Sequence, residues 1–307
     1  MGIRSRRSVL AALSGGAVLG TAGCLGADSD SVSVLSAGSL AVVLDDYVGR
    51  RFEAETGTAC HGEYYGSNAV MRMIEDGQKH PDVAISADDV LLRDRLYGEH
   101  TDWDLEFASN SVGLAYAPDT WVGERLDAGD PWYEVVLDAD EGELAISDPD
   151  LDPLGYRAMH AFQLAETEHD LDGFADSVAG AVYREPEEPQ LLAGVDAGNR
   201  AAAVAYRNMA VDHGLPFHEF PNAYDFSNRE YAGHYATVSY TTDDGYTVSG
   251  TPVVYNATVL DDADNPEAGR AFVRFLADSH GTLAENGLTT DGFPAAHGDA
   301  PETVMSG

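Results

Sequence analysis

Lysine is almost missing from this chain of 307 residues: Lys79 is the only one, and the other basic side chains are arginines. Against 53 Asp and Glu stand 17 Lys and Arg, a formal net charge of −36. A chain this poor in cations has little with which to neutralise phosphates, which argues against nucleic acid as a partner and against electrostatic docking on anionic lipid. Cysteine is scarce as well, with only Cys24 and Cys60. Enzyme signatures are missing: there is no Gly-x-Ser-x-Gly, no His-Glu-x-x-His, no Cys-x-x-Cys and no phosphate loop ending in Gly-Lys-Ser/Thr. Ten histidines are scattered without ligand spacing. What is present is 44% hydrophobic and 9% aromatic content, enough for a core and against general disorder. The length suits two compact domains or one large two-lobed one.

The acids run along the whole length rather than gathering in a tail. At low salt such a surface repels itself. At ~1 M salt the screening length falls to ~3 Å and the repulsion largely disappears. With arginine retained and lysine nearly gone, the composition points to a halophile.

The N-terminus reads as an address. Arg4-Ser5-Arg6-Arg7-Ser8-Val9-Leu10 is a basic stretch, and an apolar small-residue run follows to Gly23. That run is too short and too rich in Gly and Ala for a membrane span and fits a signal peptide. Arg6-Arg7 before Val9-Leu10 suits twin-arginine export, and Leu19-Gly20-Thr21-Ala22-Gly23-Cys24 suits a lipoprotein cleavage site with Cys24 as the lipid anchor. Loss of residues 1–23 would remove Arg4, Arg6 and Arg7 and no acid, taking the net charge from −36 to −39. Residues 24–31 read as a short polar tether. With Cys24 acylated, Cys60 has no partner, so no intrachain disulfide is expected.

Apolar runs then alternate with helical patterns. Strands are expected at Val32–Leu35, Cys60–Tyr64 and Asp82–Ser86, with helices over Leu40–Thr56 and Val70–Ile74 between them. The inward face of the first helix is Leu40, Val43, Leu44, Tyr47, Val48 and Phe52. This β-α-β-α-β order predicts a parallel, doubly wound sheet. A second series follows: strand Glu143–Ser147, helix Tyr156–Glu166, helix Gln190–Asp196, strand Ala201–Tyr206, helix Asn208–His213. The tail returns as a strand at Thr251–Val259 and a helix at Pro266–Asp278, the proline sitting where a helix start tolerates it. The expected lobes are 32–110 plus 251–307 and 111–250, with crossovers near Ser109–Tyr116 and Val248–Asn256. A cleft between lobes is the default ligand site. Asp148-Pro149-Asp150-Leu151-Asp152 imitates a calcium loop, but Pro153 and Met159 stand where such a loop needs Gly and Glu. Asn256-Ala257-Thr258 is a glycosylation acceptor pattern inside an expected strand.

Two stretches repeat one arrangement. Ser36-Ala37-Gly38-Ser39 closes the first strand and opens the first helix; Tyr65-Gly66-Ser67-Asn68 does the same for the second. Each puts a hydroxyl beside the free N–H groups and partial positive charge of a helix start. Side by side they form either a small-anion site or a pair of plain N-caps.

From these stretches onward the chain resembles the solute-binding lipoproteins of molybdate/tungstate ABC importers, in particular their archaeal tungstate/molybdate branch. The matching segments are Ser36–Leu40, Gly66-Ser67 before Val70-Met71-Arg72, Asp82–Asp88, Ser147–Arg157, Ala205–Gly214 and Gly250–Tyr255. The resemblance implies a type II periplasmic-binding-protein fold, two α/β lobes joined by a two-strand hinge around an inter-lobe cleft. It implies a binding protein rather than an enzyme, exported and held by lipid on the outer face of the cell membrane. Its expected partners are an ABC permease with its ATPase, and it is expected to act as a monomer without a cofactor. Ser39 and Ser67 match the hydroxyl donors of the family, Tyr206 a tyrosine near the oxyanion, and backbone N–H groups around Leu154 would add donors. Asp152 matches an aspartate that lies on the bound metal centre in the archaeal branch.

One position departs. Where that branch carries Glu just before the tyrosine, to expand the metal to six-coordination, this chain has Ala205. Without a carboxylate pair, tetrahedral binding by hydrogen bonds alone is the expectation. Asp152 then either ligates the metal or accepts backbone N–H bonds. Fixed dipoles can hold a fully deprotonated dianion without a counter-charge. Cavity size would have to separate molybdate and tungstate from sulfate. Binders of sulfate, phosphate or a ferric complex on the same fold, and an extracellular α/β enzyme with a dispersed site, are the competing readings. Because a net charge near −39 slows anion approach only where it is unscreened, desalting should weaken ligand affinity and lower the melting temperature. Titrations in molar and in dilute salt check this, and unchanged binding in dilute buffer would contradict it.

Overall fold

The computed structural model describes residues 31–305. The expected signal peptide, Cys24 and residues 24–30 of the tether lie outside the described residues. Ser31, assigned to the tether, already belongs to the first strand.

The first sheet begins with β1 (Ser31–Ala37), β2 (Ala59–Tyr65), β3 (Val83–Ser86) and β4 (Trp103–Ser109). The second holds β5 (Val112–Tyr116), β6 (Leu144–Ser147), β7 (Tyr183–Glu185), β8 (Ala202–Tyr206) and β9 (Phe217–Glu219). A hairpin of β10 (Ser239–Thr241) and β11 (Thr247–Ser249) follows. Then β12 (Val254–Val259) and β13 (Ala295–Gly298) return to the first sheet. The strand orders are β13-β4-β12-β3-β1-β2 and β7-β6-β8-β5-β9. In each sheet three strands pair in parallel, β2-β1-β3 and β7-β6-β8, as the alternating pattern predicts. The remaining pairings are antiparallel. The architecture is that of two α/β lobes, each built on one of the sheets. The chain crosses between the sheets at Asn110-Ser111 and returns along Gly250–Val253; the Ser109 hydroxyl donates to the Val253 carbonyl across the crossing (2.7 Å).

Local departures have local causes. The helix expected over Leu40–Thr56 forms in three pieces: a 3₁₀ turn at Gly38–Leu40, a π-helical stretch at Val43–Val48 and regular α-helix only over Gly49–Thr56. The wider i→i+5 turn keeps Val43, Leu44, Val48 and Phe52 inward and rotates Tyr47 out, to 44% exposure. The helix expected over Gln190–Asp196 splits into Glu188–Gln190 and Ala193–Asp196. Pro189, which has no N–H to donate, fits only the opening turn of the first piece. The tail strand starts at Val254, not Thr251, because Pro252 interrupts the ladder. Asn256 is fully buried in β12 and donates to Asp104 (3.0 Å), so its sequon is closed to glycosylation. Cys60 is a free, half-buried thiol; burial, then the charges of Glu53 and Asp45, push its pKa up to about 12. Among the described residues no helix is long and apolar enough to cross a membrane.

Below the first sheet Phe52 meets Phe272 and Phe275 edge-on, at 5.3 and 5.5 Å between ring centres. This joins the first helix to Pro266–Asp278. Phe52→Ala should cost about 3–5 kcal/mol and lower the melting temperature by roughly 6–15 °C, read by calorimetry in molar salt.

Candidate functional site

Four strand ends converge where the sheets face each other. β1 stops at Ala37 and the chain turns at once into the Gly38–Leu40 helix. Gly38 is required by close approach: a side-chain carbon there would lie 2.8 Å from Glu188 Oε2 and 2.8 Å from Pro189 Cδ. β2 stops at Tyr65, and Gly66 precedes the helix Ser67–Glu75. A side chain on Gly66 would lie 2.8 Å from Asp152 Cβ. β6 leads through Asp148–Leu151 to Asp152, the residue before the helix Pro153–Glu168. β8 ends at Tyr206, the residue before the helix Arg207–His213. Ser39, Ser67, Asp152, Leu154 and Tyr206 are all buried and are brought to this one place.

The hydroxyls are aimed by what they accept. Ser67 Oγ accepts the Ala87 N–H (3.0 Å), so its own proton is free to donate. Tyr206 Oη accepts from Arg157 Nη1 (2.9 Å), which frees its proton in the same way. Ser39 Oγ lies 3.1 Å from Tyr255 Oη, whose oxygen accepts from Asn110 (3.2 Å). Asn110 also donates to Asn208 Oδ1 (2.8 Å), and Asn208 donates to the Ser39 carbonyl (2.6 Å). That ring fastens Ser39 to the crossing segment and to the helix Arg207–His213 of the second lobe. Burial pushes the Tyr206 and Tyr255 hydroxyls well above their ordinary range, so both stay protonated.

Opposite these donors are two carboxylates. Both oxygens of Asp152 and both of Glu188 are buried without a hydrogen-bond partner among the described residues. Burial, followed by the charge of Asp152, drives the Glu188 pKa well above the usual carboxylate range. The Gly38 and Ser39 N–H groups and the Ser39 hydroxyl face Glu188 without closing a full bond and offset only part of this. Asp152 is likewise raised by burial, against partial relief from the Ser147 hydroxyl and the Leu154 N–H.

The structure corrects the expectation drawn from Ala205: a carboxylate pair is present, as Asp152 and Glu188, while Ala205 is packed in β8 opposite Gly113. Glu188 was missed because Glu185–Glu188 reads as a solvated acidic run, and the one signal for it was the proline that follows. A cation also stands at the site: Arg157, in the matching stretch Ser147–Arg157, is buried against Tyr206.

The profile of the bacterial extracellular solute-binding protein family matches residues 32–288. The chain belongs to that family. As a solute-binding protein it is the capture component of an ABC importer, exported, and it binds its substrate rather than transforming it. It is 49% identical to an uncharacterized solute-binding protein of Halobacterium salinarum, over 98% of this chain and 97% of that one. It is 39% identical to a putative ABC transporter molybdenum-binding protein of Haloferax volcanii, over 99% and 98%. Against the molybdate/tungstate-binding protein WtpA of Thermococcus kodakarensis it is 27% identical, over 92% and 91%. Among solved structures it is similar in fold to the periplasmic molybdate-binding protein of Azotobacter vinelandii, with a TM-score of 0.61 at 15% identity, over 84% and 98% of the two chains. It is nearly as similar to the sulfate-binding protein SubI of Mycobacterium tuberculosis, with 0.59 at 14%, over 85% and 88%. The fold therefore does not choose between these anions.

The buried carboxyls make a prediction. An acid whose folded pKa lies above its unfolded one costs nothing below the ordinary carboxylate range. Its penalty grows as pH rises toward the folded value and is complete above it. Asp152→Asn and Glu188→Gln should each raise the melting temperature of the ligand-free solute-binding protein by roughly 2–8 °C at about pH 8 and by little at about pH 4. Scanning calorimetry at the two pH values checks this.

Proposed function

We propose that this protein captures molybdate or tungstate between its two lobes, 32–110 plus 251–307 and 111–250, and presents it to an ABC permease. The single observation that supports this reading is the unpartnered pair, Asp152 and Glu188, facing oriented hydroxyl and amide donors. The oxo groups of the anion would take the N–H and O–H bonds of Ser39, Ser67, Leu154 and Tyr206. The metal centre, unlike sulfur or phosphorus in a tetrahedral oxyanion, has room to accept two further oxygens. Two carboxylates would only repel sulfate. For molybdate or tungstate they complete six-coordination, so this pair replaces cavity size as the selecting element. Names of the relatives in Haloferax volcanii and Thermococcus kodakarensis agree with this ligand class. The excess of acids, Arg6-Arg7 read as a twin-arginine signal and Cys24 read as a lipid anchor support a protein held outside a halophilic cell, and we take it to act as a monomer.

A second reading draws on the same pair. A carboxylate can accept the proton of hydrogen phosphate, so a protonated oxyanion also matches acceptors set among donors.

Calorimetric titration and thermal-shift assays in constant, about molar chloride separate the two. Tungstate and molybdate at micromolar levels should raise the melting temperature with concentration, and sulfate should not. Ser39→Ala and Ser67→Ala should each weaken tungstate binding by roughly 10–100-fold, the worth of a hydrogen bond to a charged group. X-ray absorption of the tungstate complex should show six oxygen neighbours, and four in Glu188→Gln/Asp152→Asn. A phosphate response equal to that of tungstate would support the second reading.

A further inference from the structure

Arg157 has a side chain fully removed from solvent. It belongs to the helix Pro153–Glu168 of the second lobe, yet most of its partners lie elsewhere. Nη2 pairs with Asp88 Oδ2 at 2.9 Å, and Nη1 donates to the Ala87 carbonyl at 3.0 Å. Both acceptors follow β3 in the first lobe. Nη2 also reaches the Pro252 carbonyl, at 3.5 Å, on the segment that carries the chain back between the lobes. The fourth partner is Tyr206 Oη. Asp88 is held from two further sides: the Tyr156 hydroxyl donates to Oδ2 (2.6 Å), and Oδ1 accepts from Val90 and Leu91 at the start of the next helix.

We infer that Arg157 is a positioning residue that latches the two lobes together and, through the same guanidinium, aims the Tyr206 hydroxyl at the ligand. The planar fork makes both tasks one event. When Nη1 is seated between Ala87 O and Tyr206 Oη, the phenol oxygen is occupied as acceptor and its proton is turned outward to donate. The Ala87 residue carries the effect further, since its N–H is the donor that orients Ser67. Opening the cleft draws Ala87 and Asp88 away from Arg157; the Ala87–Ser67 and Arg157–Tyr206 bonds each lie within one lobe, but the guanidinium loses the acceptors that hold its fork in one plane, and Tyr206 loses its fixed aim. Because its partners lie across the cleft, the pair is matched only in the closed form; desolvation offsets much of its attraction, so it favours closure by a modest margin and accepts only one geometry. Such a latch sets register without welding the cleft shut and leaves the balance of open and closed forms within reach of a ligand. Lysine can keep the ion pair with Asp88 and so the latch, but a single ammonium cannot also meet Ala87 O and Tyr206 in their fixed spacing, so it loses the aim.

The ligand half of this inference rests on the oxyanion reading; the latch half does not. The test uses the mature chain in about molar salt. Small-angle scattering of the ligand-free protein compares wild type, Arg157→Lys and the charge-free pair Arg157→Met/Asp88→Asn, in which Asn keeps the helix cap. Near-ultraviolet circular dichroism confirms folding of each. The charge-free pair should be more open than wild type, with a larger radius of gyration, and Arg157→Lys should lie near wild type. Tungstate titration then asks about Tyr206. Tyr206→Phe should cost about tenfold in affinity in the wild-type background and less than about twofold in Arg157→Lys. Scattering from the charge-free pair identical to wild type would overturn the latch. Equal losses from Tyr206→Phe in both backgrounds would overturn the aiming role. If wild type binds no tungstate, the oxyanion reading and the aiming role fall, while scattering still decides the latch.

Discussion

Placing Asp152 and Glu188 together, away from water and without donors of their own, is the most expensive thing this fold does. Each buried carboxylate carries a desolvation cost of several kcal/mol, and their mutual repulsion adds to it. The surrounding construction makes sense as the means of holding them there. Strand ends from both sheets bring the free N–H groups of helix starts close by. Hydroxyls accept from the scaffold so that their protons remain available. A ring of Asn110, Asn208, Ser39 and Tyr255 fixes one lobe against the other at the crossing. Strain of this kind, concentrated where a ligand would relieve it, is how a binding site differs from a core.

The same logic separates the outside of the molecule from its inside. Outside lie most of the 53 acids, hydrated and open to screening by salt, and individually they do little. Inside, a few charges that salt cannot screen decide the chemistry. Arg157 is the cation fully buried among them, and its fork is taken up by Asp88, two carbonyls and a phenol. The charge that matters to the ligand is therefore separate from the charge spread over the surface.

Much of this was legible in the amino-acid order. Ser36–Leu40 and Tyr65–Asn68 show apolar runs ending in Gly-Ser before a helical period, and that pattern places two donor-rich helix starts at neighbouring parallel strands. Asp152 and Tyr206 were pointed to only by the family resemblance of the segments around them. What failed had physical reasons. Glu188 sits in an acidic run beside two prolines, a composition that belongs on the surface unless the chain is folded back across a cleft. Tyr255 and Asn110 act only through contacts across 216 and 98 residues of chain, which no local pattern encodes. The antiparallel strands β4 and β13 interleave with charged residues, because Asp104 and Glu106 are buried by pairing with Arg93, while Arg229 and His297 also hold Glu106. Alternation of apolar and polar residues is blurred wherever salt bridges do the burying.

Gly38 and Gly66 have a mechanical meaning. They lie on one lobe and touch Glu188-Pro189 and Leu151-Asp152 on the other. With no side chain on either glycine, the jaws close to contact: Gly66 comes to rest on the Leu151 carbonyl and the Asp152 Cβ, Gly38 on the Pro189 ring and the Glu188 carboxylate. Peptide, proline ring and Cβ have no rotamers to choose among, so the gap left when the jaws meet is a gauge cut to fixed tolerance, with the Glu188 carboxylate its one movable edge.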